Sequence, residues 1–156
     1  MRAVIQRVKK AFVDILDDGD TPYRSGEIAN GLLVLLAVEC GDTKEDAQWL
    51  VTKISQLRIF EDADEKMNLS LLDSKGDLLL VSQFTLFGNV KKGNRPSFNR
   101  SARPEEAIPL YEYFAEIMEE KIGKKVPRGK FGAMMEVGLI NDGPVTIILD
   151  SHNKEL

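Results

Sequence analysis

Apolar residues fall in short runs along the chain, and their spacing predicts strands more often than helices. Residues 4–8 and 11–15 read as strands by their β-branched content, and residues 17–22, Asp-Asp-Gly-Asp-Thr-Pro, as a turn or an exposed hairpin tip. Residues 32–38 are apolar without a break, far too few to span a bilayer, and predict a buried strand. Thr43-Lys44-Glu45-Asp46 resembles a capping box with Asp where Glu or Gln is usual. Ala47, Leu50, Val51, Ile54 and Leu57 follow it at helical spacing and predict the first helix. A second helix carries Leu110, Tyr111, Phe114, Ile117 and Met118 on one face, and Pro104 and Pro109 both fit its first position. Residues 78–83 predict a buried strand, while residues 131–140 and 145–150 predict a hairpin turned by Asn141-Asp142-Gly143-Pro144. The expected class is α+β: largely antiparallel β-sheets, sandwich- or barrel-like, with two main helices packed on one side.

Composition narrows this picture. A chain of 156 residues, 43% hydrophobic and 29% charged, suits one globular domain spanning residues 1–156. The N-terminus, Met1-Arg2-Ala3-Val4-Ile5-Gln6-Arg7, has no apolar signal core, so a cytoplasmic location away from membranes is expected. Cys40 is the only cysteine, which leaves no disulfide within the chain and no cysteine-rich zinc site. His152, the sole histidine, lies close to the C-terminus and reads as an exposed tail residue. Ser-His-Asp, Cys-His and paired-histidine metal sites are thereby disfavoured, and neither cofactor nor metal is expected.

A net charge of −4 argues against a protein that coats nucleic acid indiscriminately. Two stretches nevertheless lack acidic residues: residues 88–103, with Lys91, Lys92, Arg95, Arg100 and Arg103, and residues 121–130, with Lys121, Lys124, Lys125, Arg128 and Lys130. Charge alone supports equally two solvated surfaces and two patches suited to an RNA end. Residues 87–103 form a long segment without apolar period, and Pro96 and Phe98 within it favour an ordered binding loop.

Candidate chemistry gathers at three places. Ser82-Gln83-Phe84-Thr85 ends a buried strand beside the basic loop, but no histidine, lysine or acid in the motif could activate either hydroxyl. Taken alone, the tetrapeptide reads more readily as strand-end hydrogen bonding than as catalysis. Gly143 before Pro144 permits backbone shapes closed to other residues, as in an ordinary hairpin turn or around a cis peptide. Arg7 shares the inward face of Ala3 and Ile5 and needs buried acceptors, which a turn with fixed carbonyls could supply.

Seven blocks from the first residues to Asp150 resemble, in order, the D-aminoacyl-tRNA deacylase family. They are Ala-Val-Ile-Gln-Arg-Val at 3–8, Leu-Leu-Val-Leu-Leu at 32–36, Arg-Ile-Phe at 58–60, Lys-Met-Asn-Leu at 66–69, Val-Ser-Gln-Phe-Thr-Leu at 81–86, Arg-Pro-Ser-Phe at 95–98 and Asn-Asp-Gly-Pro-Val-Thr at 141–146. A longer first hairpin at residues 17–24 and a short tail after Asp150 depart from the family pattern.

The resemblance implies hydrolysis of the ester of D-aminoacyl-tRNA, and of glycyl-tRNA, with L-aminoacyl-tRNA rejected. It implies a homodimer in which a cis Gly143–Pro144 peptide, held by Arg7, enters the partner's pocket. There Ser82, Gln83, Phe84 and Thr85 line the site of the terminal adenosine and ester, and the Phe84 N–H is expected to be one oxyanion donor. Lys91, Lys92 and Arg95 are expected to contact tRNA. Alternatives are an editing domain that removes a mischarged L-amino acid and a non-catalytic tRNA-binding protein.

Overall fold

A computed structural model describes residues 1–16 and 21–156. The expected hairpin tip falls largely on residues 17–20, outside the described residues. One long strand organises the rest. β1 (Arg2–Ile15) joins the two predicted strands into one, with register shifts near Lys9 that bend it. Along one edge it pairs antiparallel with β3 (Gly31–Ala37) through its first half and with β2 (Tyr23–Ile28) through its second. Along the other edge it pairs antiparallel with β7 (Met135–Asp150) over nearly its whole length. β6 (Asp77–Ser82) extends the sheet beyond β3, and this pair is parallel. A small hairpin of β4 (Phe60–Glu61) and β5 (Met67–Leu69) stands apart.

The predicted hairpin at residues 141–144 is not present. Both halves of β7 pair with the same strand, so Gln6 faces Thr146 and Val8 faces Asn141, leaving residues 142–145 opposite Arg7 alone. Turn-forming residues here make a wide bulge within a single strand instead of reversing the chain. Gly143 has φ +141, and a β-carbon there would lie 2.7 Å from Val145 Cγ2, so only glycine fits.

Helix α1 (Lys44–Gln56) starts as predicted, with the Thr43 N–H donating to Asp46 Oδ2 at 2.8 Å. A one-turn helix, α2 (Leu71–Ser74), precedes β6. The second main helix, α3 (Pro104–Ile122), begins at Pro104 and carries Pro109 inside it. An interior proline costs about 3 kcal/mol. Burial of Tyr111, Phe114 and Met118, at about 1.5–3 kcal/mol each, outweighs that cost.

α1 and α3 pack on one face of the sheet over Ala3, Ile5, Leu32, Val34, Leu36, Leu78 and Leu80. The opposite face collects Val8, Val13, Leu33, Leu79 and Val81, with Leu35, Met135 and Val137 only partly covered. β3 is thus apolar on both faces, which is why its sequence shows no alternation. No described helix is long and apolar enough to cross a membrane.

Candidate active site

β6 ends at Ser82, and the Gln83 N–H continues the ladder by donating to the Leu36 carbonyl at 2.8 Å. The chain then tightens into a 3-10 turn, Phe84–Phe87. Its carbonyls are individually held: Gln83 O accepts from Leu86 N at 3.2 Å, Thr85 O from Gly88 N at 2.9 Å, and Phe84 O from Ser101 Oγ at 2.9 Å. The first N–H groups of such a turn, on Phe84 and Thr85, have no partner within it and remain available to a ligand.

Beneath the turn lies a cavity of about 60 Å³ lined by Leu36, Val38, Ser82, Gln83, Ala107 and Tyr111 among others. A wider depression of about 310 Å³ continues from Ser82–Phe84 to Gly132, Met134, Met135 and Val137. The Phe84 ring is 56% exposed and meets Phe98 edge-on, with centroids 5.1 Å apart. Thr85 Oγ1 accepts a hydrogen bond from Gln83 Nε2, so its hydroxyl is engaged by an amide and not by a base. Tyr111 donates from its buried hydroxyl to the Leu80 carbonyl at 3.3 Å, and burial pushes its pKa well above the usual phenol range. It therefore stays neutral and offers no base.

The basic loop is ordered, as expected, by reciprocal backbone bonds between Asn89 and Ser97 at 2.8 and 3.0 Å. Asn89, Lys91, Lys92, Arg95 and Ser97 line a groove of about 250 Å³. Lys91, Lys92 and Arg95 form no ion pair among the described residues. The second basic stretch behaves differently. Lys124 pairs with Asp77 at 2.9 Å, Lys125 with Glu119 at 3.3 Å, and Arg128 with Glu112 and Glu119 at 2.7 and 3.0 Å. Asp77, Glu112 and Glu119 balance three cations of this stretch, which favours for it the reading of a solvated surface over that of an open patch.

The Gly143–Pro144 peptide is cis, as the resemblance implied. Arg7, 4% exposed, donates from Nε to the Asp142 carbonyl at 2.9 Å and from Nη1 to the Ile59 carbonyl at 2.5 Å. The inward arginine thus finds carbonyl acceptors. Gly143 and Pro144 are themselves exposed, and neither lines the pocket at Ser82–Phe84 of the same chain.

His152 is half exposed but pinned, with Nε2 2.8 Å from Asp42 Oδ1. Glu39, Asp42 and His152 have ligand-type atoms within 4.8 Å of one another. Asp42 already accepts from the Met1 ammonium at 2.6 Å, and Glu39 from Arg100 at 2.6 Å. The group is an ion-pair cluster joining the two ends of the chain. Residues not anticipated around the site include Ser101, Tyr111, Gly132 and Met135, which reach it from other elements and carry no local signal.

A sequence profile of the family described as D-Tyr-tRNA(Tyr) deacylase matches residues 4–150. The D-aminoacyl-tRNA deacylase of Cytophaga hutchinsonii is 56% identical over 155 residues, covering 99% of this chain and 100% of its own. The protein of the same name from Thermosipho melanesiensis is 56% identical over 151 residues, 97% of each chain. A solved structure described as c-Myc DNA Unwinding Element Binding Protein superposes with a TM-score of 0.87 at 39% identity, covering 96% of this chain and 98% of its own. Another, of a probable eukaryotic D-amino acid tRNA deacylase, gives a TM-score of 0.79 at 19% identity over 95% of this chain and 97% of its own, a likeness of fold.

Proposed function

Because this chain belongs to the D-Tyr-tRNA(Tyr) deacylase family and is a hydrolase of D-aminoacyl-tRNA esters, we propose that the ester is cleaved at the Ser82–Thr85 turn, in a site completed by Gly143 and Pro144 of a second copy. The observation that carries this reading is the turn itself: two N–H groups with no partner within the turn, beside a pocket, and a Thr85 hydroxyl engaged by the Gln83 amide. An aminoacyl ester is already activated by its α-ammonium group. Positioning, N–H donors at the developing oxyanion and a water molecule then suffice, helped by the 2'-hydroxyl of the tRNA's own ribose. Phe84 N–H is the first oxyanion donor, and Gln83, Ser82 and Thr85 orient the ester and terminal adenosine.

The second copy is invoked because Gly143 and Pro144 are exposed and do not line their own chain's pocket. The same strand exposes Ile140, at 57%, and Ile148, apolar surface that a homodimer would cover. Carbonyls of the partner's Gly143 and Pro144 then occupy the space an L side chain requires, while D side chains point away. Glycine has no side chain to reject, so glycyl-tRNA is cut as well. The groove of Lys91, Lys92 and Arg95 takes the phosphates of the acceptor end.

Incubation with D-Tyr-tRNA, L-Tyr-tRNA and glycyl-tRNA, with released amino acid measured, tests the reading. Release from the D and glycyl substrates only is expected; release from the L substrate at a matching rate would overturn the proposed selectivity.

A further inference from the structure

Arg2 lines none of the pockets at the turn, yet its guanidinium is committed on three sides. Nε and Nη2 hold Asp150 Oδ2 at 2.9 and 2.8 Å, and Nη1 donates to the Leu86 carbonyl at 2.8 Å. The guanidinium carbon also lies 4.8 Å from the centroid of the Phe87 ring, which Arg100 approaches at 5.3 Å. Asp150 is only 2% exposed, and its other oxygen accepts the N–H groups of His152 and Asn153 at 2.9 and 3.2 Å. The anchor is therefore fixed independently of the turn that it serves.

Leu86 is the third residue of the 3-10 turn that Phe84 opens and Phe87 ends. Peptide units in such a turn share one orientation, so a cation gripping a carbonyl at its C-terminal end fixes the direction of the N–H groups at its start and favours the turn's dipole. The Phe84 and Thr85 carbonyls are held by Ser101 and by the Gly88 N–H, whereas Leu86 O is held from a different strand. Oxyanion stabilisation is steep in geometry, because donors must sit within hydrogen-bond distance of an atom that exists only during reaction.

We propose that Arg2, anchored by Asp150, is a positioning residue for deacylation: it fixes the turn that presents the Phe84 and Thr85 N–H groups to the ester. This rests on the proposed site of hydrolysis. Steady-state kinetics on D-Tyr-tRNA with wild type, Arg2→Met and Arg2→Lys, accompanied by melting curves and hydrogen exchange at residues 84–88, decides it. Methionine preserves packing over Phe87 without a donor, and lysine retains one donor for Leu86 O. Arg2→Met should lower kcat about tenfold or more while KM stays within about twofold, with faster exchange at residues 84–88. Arg2→Lys should recover part of both effects. Should Arg2→Met fail to fold, Arg2→Lys carries the test through the same kcat loss and faster exchange in smaller measure. Unchanged kcat in a folded variant, or equal losses in Met and Lys with exchange unaltered, would overturn the proposal. Wild-type protein that leaves D-Tyr-tRNA intact would instead overturn the underlying function, and this inference with it.

Discussion

Replacing Arg7 by methionine removes the donors that tie the Gly143–Pro144 bulge to the body of the sheet while retaining most of the side-chain volume. Two carbonyls lose a partner. The Ile59 carbonyl accepts at a buried position, and leaving it unpaired costs about 1–3 kcal/mol. The Asp142 carbonyl is partly exposed and can turn to water, so its loss costs about 1 kcal/mol. The ion pairs to Glu61 and to the Asp142 carboxylate contribute little, because they span 3.7 and 3.4 Å and both carboxylates are partly exposed, at 55% and 35%. The expected destabilisation is about 2–4 kcal/mol, or a fall in Tm of about 5–15 °C for a chain of this length. Urea unfolding followed by circular dichroism reads it as a lower midpoint at unchanged slope. Arg7→Lys, able to reach one carbonyl, should fall between the two. The freed bulge should also raise cleavage of L-Tyr-tRNA relative to D-Tyr-tRNA. A loss below about 0.5 kcal/mol would refute the hydrogen-bond account, and a destabilised variant with unaltered selectivity would refute the link to the bulge.

Neutralisation of three phosphates by Lys91, Lys92 and Arg95 predicts tRNA binding about 20- to 40-fold weaker between about 50 and 200 mM salt. Lys92→Glu should flatten that slope, whereas Lys124→Gln and Arg128→Gln, whose cations are already paired, should leave it unchanged. Thr85→Ala should stay within about tenfold of wild-type deacylation, and complete loss in a folded variant would revive Thr85 as a nucleophile. Burial works to raise the Asp150 pKa, but the His152 N–H and the Arg2 guanidinium outweigh it and hold the carboxyl below its usual value. A lowered folded-state pKa stabilises above the unfolded value and is lost as pH falls through the folded one. The stability gap between wild type and Asp150→Asn should thus be full above about pH 4 and close below it; a gap constant into strong acid would contradict the pairing.

How far the sequence speaks depends on how local the cause is. α1 is legible because its capping box and apolar face lie within a few turns of one another. β3 is legible because burial on both faces leaves an unbroken apolar run. Arg7 stands out by alternation alone, since a charge on a core face demands acceptors. The bulge in β7 was not legible as such: Asn-Asp-Gly-Pro serves equally to reverse a chain or to widen a strand, and the difference lies in β1, which pairs with both halves. Likewise nothing near Lys124 announces its partner Asp77, 47 residues back, whereas Arg128 is paired by Glu112 and Glu119, 16 and 9 residues away on α3. Arg2 and Asp150 are at opposite ends of the chain, and nothing in either neighbourhood announces the pair.

That one site is built from two chains is tested most directly by mixing subunits. One variant has its pocket filled by Ala102→Trp, at a residue that lines the cavity beneath the Phe84–Phe87 turn, and a second lacks Gly143 and Pro144. Release of amino acid from D- and L-Tyr-tRNA is measured for the second variant alone and after refolding with an excess of the first. In a two-fold dimer nearly every open pocket then faces an intact Gly143–Pro144 bulge. The account predicts that these pockets regain wild-type behaviour, cleaving the D substrate and sparing the L. Release from either substrate that is unaltered by mixing would contradict it.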